Sequence, residues 1–273
     1  MIAALRLVRL PNLLIAALGV LAGGWIALGT IALPKELLFA VVSGIALGAA
    51  GNAWNDICDA AADRVNRPGA RPLAAGQIPG GTADLIVFLG SLVGIAMAGL
   101  VSGGQVLAAV AALAVMLVYS PLLKPRPALG NVAVAAVAGS PPFYGALAVG
   151  AAAAGLVPWA LAAWLHLVRE IVKDVEDEAG DRTIGRRTLP IVVGRRPAEV
   201  VAAGIGLLFI PASLLLPRAA GYGGAYFVIA LLAQMAVLIA ATWLLLGRVE
   251  RVSGLLKGAM IVGLVALVAG KVA

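Results

Sequence analysis

The sequence predicts an all-α fold: a polytopic membrane helical bundle of nine transmembrane helices. Three observations carry that expectation. Hydrophobic residues fill 62% of the 273 positions and charged residues 12%, with a mean hydropathy of +1.05, outside the range of a soluble domain. The apolar residues run continuously instead of alternating at period two, which selects helices over a barrel. Once those runs are laid out as spans, the basic residues gather on one side of the membrane.

Runs of the length that crosses a hydrocarbon core, roughly 17 to 25 residues, fall at 11–31, 36–56, 83–102, 105–123, 129–150, 155–172, 198–217, 223–246 and 254–272. The first follows Arg6 and Arg9 and has no clear cleavage site, so it reads as a span of the mature chain and not as a removable leader. The second carries "GIALGAAGNA", whose small residues allow close helix packing. The fourth ends in Ser and Pro, and the sixth runs into charges. One domain is expected over 1–273. The single cysteine, Cys58, has no intrachain partner for a disulfide.

With this layout seventeen of the twenty Lys and Arg residues share one membrane face, and only Lys35, Arg218 and Lys271 lie on the other. The positive-inside rule then puts the N-terminus and the exits of the even-numbered helices in the cytoplasm. A net charge of +7 and a pI near 10.1 are mostly this orientation signal, so no nucleic-acid partner is expected. No phosphate-binding loop or dinucleotide fingerprint is present.

Two loops on that face match each other. Shifting "NDICDAAADRVNRPGARPLAAG" by 118 positions lays it over "KDVEDEAGDRTIGRRTLPIVVG", pairing Asp56 with Asp174, Asp59 with Asp177, Asp63 with Asp181, Arg64 with Arg182, Pro72 with Pro190 and Gly76 with Gly194. Two copies of one device, over 52–76 and 170–194, suggest an internal repeat. On a helix Asp56, Asp59 and Asp63 share an arc of about 60°, with Asn52 in the same wedge. Asp174, Asp177 and Asp181 do the same with Glu170 on their face, with Gly180 able to end the helix before Asp181. Each copy therefore makes an acidic stripe. Such stripes repel unless a cation joins them, and oxygen-only ligands without a His or Cys cluster point to Mg2+ or Mn2+. Magnesium usually completes its octahedron with substrate phosphates, and the arginines among the acids point to a phosphate-bearing ligand.

These motifs resemble the UbiA superfamily of intramembrane prenyltransferases. Its first signature, Asn-Asp-x-x-Asp-x-x-x-Asp, matches Asn55, Asp56, Asp59 and Asp63, and its second aspartate motif matches Asp177 and Asp181. The resemblance implies a nine-helix bundle around a central cavity with a cytoplasmic cap. It also implies two Mg2+ ions, held by Asn55, Asp56, Asp59, Asp63, Asp174, Asp177 and Asp181, that bind the diphosphate of an isoprenyl donor. Asp59, Asp63, Asp177 and Asp181 are then the catalytic carboxylates, while Arg64, Arg67, Arg71, Lys173 and Arg182 neutralise phosphate charge. "YSPLLK" is similar to a further family element, a Tyr and a Lys at the end of helix four, although Tyr119 and Lys124 stand five residues apart where the family has four. Lys124 is expected at the phosphates. Tyr119 either faces the carbocation with its ring or belongs to an interfacial aromatic belt. Asn12, like Asn52, is a candidate substrate contact, or else a helix cap. His166 is either a general base or, the favoured reading, a hydrogen-bond partner for a neighbouring helix.

Within the superfamily, "DRVNRPGARPLAAG" and Arg169-Glu170 followed by Lys173-Asp174-x-x-Asp177 look most like the digeranylgeranylglyceryl phosphate synthases. That resemblance implies Mg2+-dependent transfer of a geranylgeranyl group from geranylgeranyl diphosphate to the glycerol hydroxyl of geranylgeranylglyceryl phosphate, a step of ether-lipid synthesis. Arg186, Arg187 and Arg195 are then available to the acceptor's phosphate, or to topology and anionic lipid head groups. An aromatic prenyltransferase of quinone synthesis is the alternative acceptor class. A secondary transporter is the alternative outside enzymes, but it needs ionisable residues near the bilayer midplane, whereas these acids sit at helix ends.

Overall fold

The computed structural model describes residues 2–66 and 69–272, and every regular element in them is helical. A short α1 (Ile2–Leu7) precedes α2 (Leu10–Leu28), α3 (Lys35–Asn66), α4 (Gly80–Gly99) and α5 (Gly103–Val118), which a π-helical turn (Tyr119–Leu123) extends. Next come α6 (Leu129–Ala138), α7 (Pro141–Ala148), a 3-10 turn (Ala152–Gly155), α8 (Leu156–Glu176), α9 (Glu178–Thr183), α10 (Leu189–Val193), α11 (Arg195–Ala219), α12 (Gly224–Leu245) and α13 (Val252–Ala269).

Among the described residues, eight helices are long and apolar enough to cross a membrane. The chain is a multi-pass membrane protein. The expected single span over 129–150 is instead two short helices, α6 and α7. Pro141 and Pro142 open α7, and neither has an N–H to give the turn before it. Gly139, between the two helices, lies against the backbone of α8, where a Cβ would stand 2.4 Å from the Ala163 nitrogen. Non-helical backbone at membrane depth is tolerated where it is buried in protein or lines a cavity, and Gly139, Ser140 and Pro141 line one.

Two apolar cores flank that cavity. Val20, Leu37, Leu47, Leu113 and Tyr144 join α2, α3, α5 and α7. Leu165, Val172, Phe209, Val237 and Leu256 join α8, α11, α12 and α13. The ring closes where α13 packs on α2. Outward faces stay apolar, as with Leu85, Phe88 and Leu92 on α4 or Val228, Leu232 and Met235 on α12, because hydrocarbon is the solvent there.

With lipid outside, helix association rests on close packing more than on a hydrophobic drive. The tightest approach is between α2 and α7: a Cβ on Gly23 would stand 1.8 Å from the Pro142 carbonyl oxygen, and one on Gly145 1.8 Å from that of Val20. Gly145→Ala should therefore destabilise the bundle by about 1–3 kcal/mol. Gly204→Ala on α11, where nothing lies within 4 Å of the added carbon, should not. Thermal unfolding of both variants in one detergent checks the contrast.

Candidate active site

The cavity has a volume of about 790 Å3 and is walled by α2, α3, α5, α6, α7, α8, α9 and α13. Its interior is apolar, with Ile15, Leu47, Val115, Met116, Val134, Met260 and Leu264. Its mouth is charged. Asp59, Asp63, Asp174, Asp177 and Asp181 line it beside Arg9, Arg71, Lys124, Arg169, Lys173, Arg186 and Lys257.

Helix α3 stays continuous through the first motif to Asn66, so Asp59 and Asp63 share a face as the spacing requires. Both are buried, as is Asp56. Asp56, however, does not line the cavity: it takes the Arg9 guanidinium at 2.5 Å and lies 3.7 Å from Arg71. Arg71 also reaches to 3.6 Å from Asp63. Asn55 lines the cavity and accepts from the Ser120 hydroxyl at 3.2 Å.

The second motif differs from the uninterrupted helical stripe expected of it. α8 ends at Glu176 and α9 begins at Glu178, with Asp177 at the joint; Gly180 lies inside α9 and does not terminate it. Asn66 holds this joint. Its Nδ2 donates to the Asp177 carbonyl at 2.9 Å, and its Oδ1 accepts from the Gly180 N–H at 2.7 Å. Only glycine fits at 180, since a Cβ there would stand 2.6 Å from the Ala62 carbonyl oxygen. Asp174, on α8, accepts from Asn131 at 2.7 Å.

Basic side chains join the two motifs. Arg186 bonds Asp59 at 2.5 Å and Asp181 at 3.1 Å, while Lys124 bonds the other Asp59 oxygen at 2.7 Å. Burial works against the charge of Arg186, but Asp59 and Asp181 outweigh it and raise its pKa above the ordinary arginine value. Burial raises the Asp181 carboxyl against the opposing pull of Lys124 and Arg186. The one-residue excess in the Tyr119-to-Lys124 spacing is absorbed by the π turn, in which the Lys124 N–H bonds the Tyr119 carbonyl at 2.7 Å. That i→i+5 bond takes up the added residue, so Lys124 still reaches the mouth. Tyr119 is buried and lines the cavity.

Asn12 is not a cap. It lies inside α2 and accepts from Lys257 at 2.7 Å across the mouth. Asn52 lines the cavity and donates to the Val8 carbonyl at 2.9 Å. His166 also lines the cavity, and its Nδ1 is buried without a hydrogen-bond partner, in place of the interhelical bond expected of it. Arg64 and Arg182 are exposed outside the cavity, Arg182 on Glu178 at 2.7 Å. Arg187 and Arg195 are exposed too, and only Arg186 of that trio enters the mouth. Arg67 lies outside the described residues. Sequence reasoning missed Asn66 and Asn131 and took Arg9 and Lys257 only as orientation signals. For Asn131 and Lys257 the available sign was a polar residue inside an apolar run.

Among the described residues, no three Asp, Glu, His or Cys side chains form a ready-made metal cage. The donor set is nonetheless all oxygen, and Asp181 keeps a buried Oδ2 with no hydrogen-bond partner beside the guanidinium that bridges to Asp59. Such carboxylates fit magnesium in the mode in which phosphate oxygens supply the remaining ligands.

A model of the UbiA prenyltransferase family matches residues 16–265. The chain belongs to the UbiA prenyltransferase family. It is 41% identical over 225 residues to the digeranylgeranylglyceryl phosphate synthase of Thermococcus gammatolerans, covering 81% of this chain and 80% of that protein. A solved structure of a digeranylgeranylglyceryl phosphate synthase in membranes superposes with a TM-score of 0.78 at 25% identity, covering 99% of this chain and 98% of that one. A UbiA homologue from Archaeoglobus fulgidus bound to GPP and Mg2+ shares the fold, with a TM-score of 0.66 at 18% identity and 98% coverage of both chains. In this UbiA prenyltransferase, Asn66 is an uncharged tie between the two aspartate motifs, beside the Arg186 bridge. Asn66→Ala should loosen α9 from α3 at a cost of about 1–3 kcal/mol. Hydrogen exchange should then rise over 177–188 and stay unchanged in α12.

Proposed function

We propose that this UbiA prenyltransferase transfers a geranylgeranyl group from geranylgeranyl diphosphate to the glycerol hydroxyl of geranylgeranylglyceryl phosphate. The observation that carries the reading is the single cavity that joins an acidic and basic mouth to an apolar interior. A prenyl diphosphate has the same polarity, with an anionic head and a hydrocarbon tail. Identity to synthases of this name over most of the chain supports the choice of acceptor.

Asp59 and Asp63 on α3, with Asp177 at the α8–α9 joint and Asp181 in α9, would hold two Mg2+ ions, which when bound supply Lewis-acid stabilisation of the departing diphosphate. Asn55 and Asp174 lie next to them on the same walls. Lys124, Arg186 and Arg71 turn from the carboxylates to the phosphate oxygens and offset the charge that builds as the allylic carbon–oxygen bond breaks. The buried Tyr119 presents its ring to the allylic cation. The apolar interior keeps water from that cation, so the acceptor hydroxyl attacks it, loses its proton to the departed diphosphate and forms the ether. The mouth opens to the cytoplasm, where the excess of Lys and Arg lies.

Asp59→Ala and Asp177→Ala are each expected to lower turnover at least about a hundredfold, given the weight of such electrostatic groups. The purified chain is given labelled geranylgeranyl diphosphate with geranylgeranylglyceryl phosphate or 4-hydroxybenzoate, with and without a chelator. Prenylation of the aromatic acid alone would remove the acceptor assignment, and full activity with metal stripped would remove the carboxylates' role.

A further inference from the structure

The cations at the mouth fall into two groups. Arg71, Lys124 and Arg186 sit on the motif aspartates of the α3 and α9 side. Arg9 is paired with Asp56, and the remaining three, Arg169 and Lys173 on α8 and Lys257 on α13, lie on the α8–α13 side of the mouth, Lys173 one residue before Asp174. There ion-pair contacts are few. Arg169 and Lys173 lie 3.2 Å and 3.6 Å from one carboxylate, Glu170. Among the described residues, Lys257 bonds only the neutral amide oxygen of Asn12, at 2.7 Å. Among the described residues Glu170 is the one carboxylate in ion-pair contact with these three cations, although Asp174 and Glu176 on α8 also line the cavity, in a membrane protein that has little charge to spend inside its spans. Arg169 Nε and His166 Nδ1, on the same helix and both lining the cavity, are buried without hydrogen-bond partners. Like charges drawn together with unused polar atoms need an anion between them.

We infer that Arg169, Lys173 and Lys257 form a second phosphate site, distinct from the diphosphate site, that docks the phosphate monoester of the lipid acceptor. The inference rests on the proposed acceptor. A dianion bound there is held across the mouth from Asp59 and Asp63 on α3, so the acceptor's glycerol extends between the two anion sites and its isoprenyl chain enters the apolar interior. The site also separates acceptor classes. A phosphate monoester carries up to two charges and three strong acceptor oxygens to satisfy three cations, whereas a neutral glycerol ether satisfies none.

The test is a KM split on the full chain reconstituted in neutral phosphatidylcholine. Lys257→Gln keeps an amide donor toward Asn12 but removes the charge. It should raise KM for geranylgeranylglyceryl phosphate about tenfold or more, the loss of one charge-assisted hydrogen bond. KM for geranylgeranyl diphosphate should stay within about twofold, and so should KM for geranylgeranylglycerol, which lacks the phosphate. Lys257→Arg should recover most of the loss. Equal rises for the phosphorylated and neutral acceptors, or a rise for the donor, would overturn the site. If wild type reconstituted with phosphatidylglycerol shows a higher acceptor KM that Lys257→Gln abolishes, bulk lipid head groups own the site and the inference fails. No turnover of either glyceryl acceptor by wild type would instead bring down the proposed function. Inorganic phosphate then tests the wall by itself: protection of 166–173 and 253–260 from hydrogen exchange in wild type but not in Lys257→Gln would support it, and no protection would refute it.

Discussion

The Arg186 bridge between Asp59 and Asp181 is the interaction on which the site depends. Two helix ends that each carry several carboxylates repel, and a buried carboxylate without a partner is strongly disfavoured. A guanidinium offers donors in a fixed fork and can serve both helices at once, which a lysine ammonium does less well. Lys124 on the second oxygen of Asp59 completes the neutralisation. The mouth is therefore assembled by alternating charges, and the same cations are at hand for a phosphate ligand.

The irregular backbone lies where that arrangement needs it. The segment expected as a fifth span breaks at Gly139 and Ser140, and its α6 half delivers Asn131 to Asp174. The π turn after α5 carries Lys124 to Asp59 despite the added residue. The interruption at Asp177 lets α9 fold back on α3, where Gly180 meets Ala62 and Asn66. Each departure from regular helix is buried against a neighbour or borders the cavity, as the absence of water in the bilayer core demands.

Charge is unevenly spread around the mouth. Acids dominate the side formed by α3 and α9, whereas α8 and α13 bring three bases, Arg169, Lys173 and Lys257, together with three acids, Glu170, Asp174 and Glu176. A donor diphosphate and a phosphorylated acceptor make opposite demands: one needs metal ligands, the other bare cations. A mouth that offers carboxylates and cations together suits two anionic lipids that must meet head to head.

Much of this was legible in the chain. Hydropathy and length are local properties, so the membrane class and the positions of the long helices follow from runs of apolar residues. The acidic face of α3 follows from helical periodicity alone, because the helix continues unbroken to Asn66. The second motif was legible in its residues but not in its backbone, since the break at Asp177 is imposed by Asn66 from 111 residues away. Whether a basic residue enters the mouth was likewise undecidable from spacing: Arg64 and Arg182 match their motifs yet are exposed, while Lys257, 245 residues from Asn12, lines the cavity beside it. Composition and period determined that this chain crosses a membrane and carries two acidic clusters. Only the tertiary structure decided which charges face one another, because pairing across helices depends on rotation and closure of the ring, which no single helix encodes.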